Sequence, residues 1–74
     1  MVSIAALMRY AEAGRTIEMI YMDAHRRFSR RTVKPIALEG GKLKAYCYTR
    51  RCVRIFSVSG ILSASPAVRR ASGI

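Results

Sequence analysis

Two cysteines, a single histidine and a surplus of arginine are the side chains of this sequence with the widest chemical range. Cys47 and Cys52 lie five positions apart in the stretch KAYCYTRRCVRIF, residues 44–56, with Arg50 and Arg51 between them and Arg54 just after. Half of a metal site, a disulfide and two opposed positions on a hairpin are the three chemistries this spacing admits. A structural zinc site needs four ligands, commonly with one cysteine pair at C-x₂₋₄-C spacing. Cys47, Cys52 and His25 supply three, and the fourth would have to come from Glu12, Glu18, Asp23 or Glu39. The thin acidic set argues against a metal. A turn centred on Thr49-Arg50, or a loop of Tyr48 to Arg51, sets Cys47 directly opposite Cys52. Opposed Cβ atoms stand about 4.5–5.5 Å apart, within adjustment of a disulfide. Without a secretion signal the expected compartment is reducing, so free thiols packed as small apolar groups are the expected state.

Catalysis finds little footing. A nucleophilic cysteine needs an orienting base, and His25 falls in a predicted hairpin tip. The carboxylates are scattered with no paired arrangement. Gly40-Gly41 precedes a strand pattern and not a helix, so it is no phosphate-cradling loop. Neither an enzyme nor a cofactor is expected.

The charge points to a partner. Fourteen Lys and Arg against four Asp and Glu leave a net charge of +10 across 74 residues. Such a chain attracts polyanions, nucleic acid or a nucleotide-like anionic ligand first among them. A membrane surface is a weaker match, because the arginines do not gather on one face of an amphipathic helix. No apolar run approaches the ~18–20 residues of a membrane span. Ala11-Glu12-Ala13 mimics a cleavage site, but no positive region precedes Val2–Met8 and Arg9 interrupts that run. The expected location is cytoplasmic.

The elements that must position these groups follow from periodicity. Ile4, Leu7, Met8 and Ala11 form one helical stripe, with Ser3 as N-cap and Gly14 as stop, predicting a helix over 4–13. Ile17, Met19 and Tyr21 then alternate with Glu18, Ile20 and Met22 at the period of a strand. A break at 23–26 leads to a second strand over 28–38, where Pro35 demands a bend, a bulge or an edge. Gly40-Gly41 signals a turn into strands over 42–49 and 52–58. A short element over 61–64 closes the sheet, and residues 65–74 are expected to be a flexible basic tail. One helix followed by strands in hairpin order predicts a mainly β fold, a small bent antiparallel sheet or partly open barrel. Residues 1–64 would form this single domain. A core this small leaves a few kcal/mol of stability at most, which favours oligomerisation or docking on a partner.

The order of these pieces resembles the WYL domain of bacterial transcription regulators. The resemblance rests on Gly14-Arg15, Tyr21, Arg31-Thr32-Val33-Lys34-Pro35, Gly40-Gly41, Leu43, Ala45-Tyr46-Cys47, Arg54-Ile55-Phe56 and Ile61, over residues 4–64. Gly41 and Lys42 stand where the family has Trp-Tyr, and Ser57–Ile61 replaces its Arg-Leu-Asp-Arg-Ile. A stand-alone, divergent copy is the reading this supports. The resemblance implies an Sm-like, SH3-type five-stranded barrel with an N-terminal helix, acting as an effector module for nucleic acid or a nucleotide-like ligand. It also implies a transcription regulator as a partner.

The site residues implied by the matched motifs are Tyr21, Arg31, Tyr46, Arg54 and Phe56. Their chemistry is consistent with that role. A strand holds a guanidinium so that its fixed donors meet phosphate oxygens, and aromatic rings beside it stack bases at about 1–3 kcal/mol each. Phe56, Tyr21 and Tyr46 suit core or half-core positions as well, and both arginines suit a solvated outer face.

Overall fold

The computed structural model describes residues 3–67, so the expected tail beyond Ala67 lies outside the described residues. Helix α1 spans Ile4–Ala13. Ser3 is extended (φ −82°, ψ 129°), and its Oγ accepts the backbone N–H of Ala6 at 3.3 Å. Gly14 ends the helix in the left-handed region at φ 65°, a conformation that costs glycine nothing. The sequence predicts both helix ends because both caps are local.

Five strands follow: β1 Ile17–Met22, β2 Phe28–Glu39, β3 Lys42–Cys47, β4 Cys52–Ser57 and β5 Ile61–Pro66. A 3₁₀ turn, Val58–Gly60, joins β4 to β5. All pairings are antiparallel, in the order β4-β3-β2-β1-β5. The sheet is not closed into a barrel, since β4 and β5 are its two unpaired edges. β3 and β4 end before the sequence expectation because Tyr48-Thr49 belong to the turn and Val58 to the 3₁₀ segment. β5 runs two residues further than expected, to Pro66, because Ser65 and Pro66 pair with Glu18 and Ile17.

The bend demanded by Pro35 is a bulge. Pro35 pairs with Ala45 and Ala37 with Lys44, leaving Ile36 extra. The shift sets Leu38 opposite Leu43, so the leucine and not Ala37 faces inward. The Gly40-Gly41 turn holds positive φ at both residues, 58° and 75°, the hairpin geometry glycine permits.

One face of the sheet carries the core. Ile17 and Met19 from β1, Val33 and Pro35 from β2, and Leu43, Ala45 and Cys47 from β3 are buried there. Phe56, Val58 and Ile61 complete it, and Leu7 of α1 closes it from above. The helix packs on β2, with Tyr10 and Leu38 half-buried at the margin. No helix among the described residues is long and apolar enough to cross a membrane.

Candidate functional site on the inner face

Strand parity decides which of the site residues can act together. On β4, Cys52 opposes Cys47, Arg54 opposes Ala45 and Phe56 opposes Leu43. All three partners are fully buried core residues, so Cys52, Arg54 and Phe56 share the inner face. On β1, Tyr21 follows the buried Ile17 and Met19 at the same parity. Arg31 opposes Met19, which puts it on that face too. Tyr46 opposes Val53 and Lys34 and belongs to the outer face. The structure therefore gathers Tyr21, Arg31, Arg54 and Phe56 on one surface and separates Tyr46 from them.

The sheet curls enough to bring β1 and β4 together although two strands lie between them. The Tyr21 and Phe56 rings meet edge to face with centroids 5.1 Å apart. The Ser57 backbone N–H donates to Tyr21 Oη at 3.2 Å. Gly60 allows this approach. A Cβ on it would stand 2.7 Å from the Met22 carbonyl oxygen and 2.9 Å from Tyr21 Cε1. Phe56 is only 3% exposed, so it forms the floor of the site and is no free stacking platform.

Arg31 sits above that floor. Its Cζ lies 5.9 Å from the Phe56 ring centroid, within cation–π range. Its Nε donates to Ser29 Oγ at 3.2 Å, and it lies diagonal to Cys47 on the same face, two residues before Val33, the partner of Cys47. The side chain is half-buried. The four carboxylates of the sequence lie elsewhere. Glu12 is on the exposed side of α1, Glu18 on the outer face of β1, Asp23 in the β1–β2 turn and Glu39 at the β2–β3 turn. Arg31 is thus a positioned cation on a face that carries no acidic residue.

Cys47 and Cys52 are free thiols, one buried and one exposed, on directly opposed positions as the hairpin reading expected. The turn between them, residues 48–51, holds Arg51 in the left-handed region at φ 56°. Burial pushes the Cys47 pKa up. The backbone N–H of Arg50, the Arg31 guanidinium and the backbone N–H of Thr49 outweigh it, and the net direction is downward.

Sequence reasoning missed two groups. Tyr48 is exposed on the outer side, packed edge to face on Tyr46 at 5.1 Å and 3.4 Å from Thr16 Oγ1. With Arg15, Arg30 and Thr32 it lines a shallow second groove. The other is Gly60, whose absent side chain admits Tyr21. His25 stands exposed in the β1–β2 turn, where the hairpin-tip reading put it.

Fold and cluster together define a small, helix-capped, Sm-like β module with a cation presented on its inner face. Among solved structures, the chain is similar to proteasome accessory factor B/C (PafBC) of Arthrobacter aurescens, with a TM-score of 0.80 and 28% identity. The match covers 93% of this chain and 12% of that one, so the chain spans a small part of PafBC. It supports the WYL-type, Sm-like fold that the sequence resemblance implies. No protein-family model and no curated protein matches the chain.

Proposed function

We propose that this chain is a non-enzymatic regulatory module that binds single-stranded nucleic acid or a nucleotide-like anion on its inner face. Arg31 and Arg54 take the phosphate oxygens, and the half-buried Tyr21 offers a ring edge beside them. The observation that carries this reading is Arg31 itself, held by Ser29 over Phe56 on a face without a carboxylate. A guanidinium fixed in this way presents donors to an anion with little further ordering to lose. The resemblance to a regulator domain and the likeness to a segment of PafBC support a role in reporting ligand state to a transcription regulator.

Neighbouring residues provide the test. Arg30 and Arg31 are consecutive but face opposite sides of β2. In a salt-titrated assay with single-stranded, duplex and mononucleotide probes, Arg31→Ala lowers affinity about tenfold. Arg30→Ala costs no more than about threefold, the loss of one solvated charge. Arg31→Ala combined with Arg54→Ala removes binding at moderate salt. Undetectable binding at low salt, or a double variant that binds as the parent does, would sink the proposal.

A second reading rests on β4. This edge strand is exposed from Cys52 to Ile55, with Val53 and Ile55 about half exposed on its outer side. Unpaired strand edges recruit further strands, so a protein-interaction role, with a second copy or a regulator, is the alternative. A monomer in sedimentation that captures no partner counts against it.

A further inference from the structure

We propose that Cys47 and Cys52 are a thiol–disulfide pair whose closure releases Arg31 and so raises the affinity of the inner face for anions. Only the consequence for affinity rests on the binding function proposed above. The thiol pair stands on geometry alone. The two residues are directly opposed at the mouth of the β3–β4 hairpin, where Cβ separations of about 4.5–5.5 Å come within disulfide range after a small approach of the two backbones. The strand pairing already brings them together, so closure needs only a local adjustment at the end of the ladder and no change of register.

The two thiols differ in access. Cys52 is exposed and meets solutes, while Cys47 is fully buried. A small disulfide such as oxidised glutathione therefore reacts at Cys52. The Cys52 thiolate attacks one sulfur of the reagent, the reagent's S–S bond breaks, and one small thiolate leaves. Cys47 then attacks the Cys52 sulfur of the mixed disulfide and expels the second small thiolate. Both protein thiols have lost a proton, and the two electrons have passed to the reagent, now two thiols.

Cys47 is prepared for the second step. Arg31 stands diagonal to it on the inner face, within reach of a long side chain, and that guanidinium with the backbone N–H groups of Arg50 and Thr49 favours the thiolate, which is the attacking species. Once the disulfide forms, that sulfur can carry no negative charge. Arg31 then has no thiolate beside it and keeps Ser29, so its remaining donors are left to solvent or to a bound anion.

The test treats the reduced full-length chain with oxidised glutathione, quenches with an alkylating reagent and digests with trypsin. Cleavage after Lys44, Arg50, Arg51 and Arg54 separates the cysteines, so closure yields residues 45–50 joined to residues 52–54. Cys47→Ala, which keeps the buried site apolar, accumulates the glutathione adduct at Cys52. Cys52→Ser stays unmodified while folded. In Arg31→Gln, collapse of the mixed disulfide slows about threefold to tenfold. The oxidised parent binds a single-stranded oligonucleotide about twofold to fivefold more tightly than the reduced one, and Arg31→Gln removes that difference. A stable adduct at Cys52 of the parent, or disulfide-linked dimers in place of the joined peptides, overturns the thiol pair. Equal affinity in the two redox states overturns its coupling to Arg31. If neither state binds the oligonucleotide while the joined peptides form, the binding function fails and the thiol pair stands.

Discussion

The two faces of this sheet use the same residue types to opposite ends. On the inner face, Leu43, Ala45 and Cys47 are fully buried along one strand, and a single arginine is held over an aromatic floor. On the outer face, Val53, Ile55 and Phe28 are exposed among Arg30, Lys34, Lys42 and Lys44. Most of the basic residues are therefore solvated, where they set the long-range attraction for polyanions without fixing any geometry. Among the described residues Arg31 is the exception, and the core beneath it is what makes it one. Charge count describes the outer face. Position describes the inner one.

Adjacent rungs of the β3–β4 ladder give the sharpest way to break this contrast. Leu43 pairs with Phe56 on the inner face, while Ile55 pairs with Lys44 one rung away on the outer face. Leu43→Ala should cost about 2–5 kcal/mol, lost transfer energy plus a cavity. In a domain with only a few kcal/mol to spare this approaches complete unfolding. Ile55→Ala, from a side chain 58% exposed, should stay within about 0.5 kcal/mol. Chemical denaturation of the two variants checks both. Equal losses would mean that the outer face is covered in solution, which would favour the interaction reading.

Gly60 comes next in size. Its backbone needs no left-handed conformation, so the cost of Gly60→Ala is steric. The added methyl meets the Met22 carbonyl and the Tyr21 ring, and overpacking of this kind costs about 1–3 kcal/mol. Relief requires the Val58–Gly60 turn to move away from the end of β1 and the Tyr21 ring to shift against Phe56. Loss of stability together with weaker anion binding is the expected outcome, read by thermal unfolding and by the oligonucleotide assay. A variant that unfolds at the parent temperature would show that the close approach is not needed to hold the site.

Tyr21→Phe isolates the polar part of the same contact. The ring packing on Phe56 remains, but the Ser57 N–H loses its acceptor. The expected cost is about 0.5–1.5 kcal/mol, the net worth of one hydrogen bond. Hydrogen exchange at the Ser57 amide should quicken more than elsewhere in β4, and unchanged exchange there would remove the bond from the account.

Much of this arrangement was legible in the sequence. The helix and its caps, the glycine hairpin, an interruption of regular pairing at Pro35 and the opposition of the two cysteines all follow from local rules on periodicity and turn residues. One further step was within reach. If Cys47 opposes Cys52, parity sends Arg54 to the face of Cys47 and Tyr46 to the other, so these two could never share a site on one surface. The remainder was not legible, because it depends on the curl of the whole sheet. That Arg31 meets Phe56, and that Tyr21 reaches Ser57 across two intervening strands, are properties of five strands together. Gly60 carries no positive φ, and its Ser59-Gly60 pair marks only a turn, so nothing local shows that Tyr21 packs against it.

The smallest effect belongs to the β1–β2 turn, far from the hydrophobic contrast. Asp23 Oδ1 accepts the backbone N–H groups of His25 at 2.8 Å and Arg27 at 3.0 Å. The Arg27 hydrogen bond lowers the Asp23 pKa most. Desolvation opposes it, and the His25 bond with the charges of His25 and Arg27 adds to the lowering. A carboxylate whose folded pKa lies below its unfolded value adds stability above the unfolded pKa and loses it as pH falls through the folded one. Asp23→Asn keeps an oxygen acceptor for both N–H groups and removes only the charge. The stability difference between parent and variant should therefore be constant at neutral pH, shrink as the solution passes below the usual carboxylate range, and vanish once the pH is well below the lowered folded pKa. Because both chains share every other titrating group, the difference reports Asp23 alone. A gap that persists at the acid end would assign the turn's stability to amide geometry and not to charge.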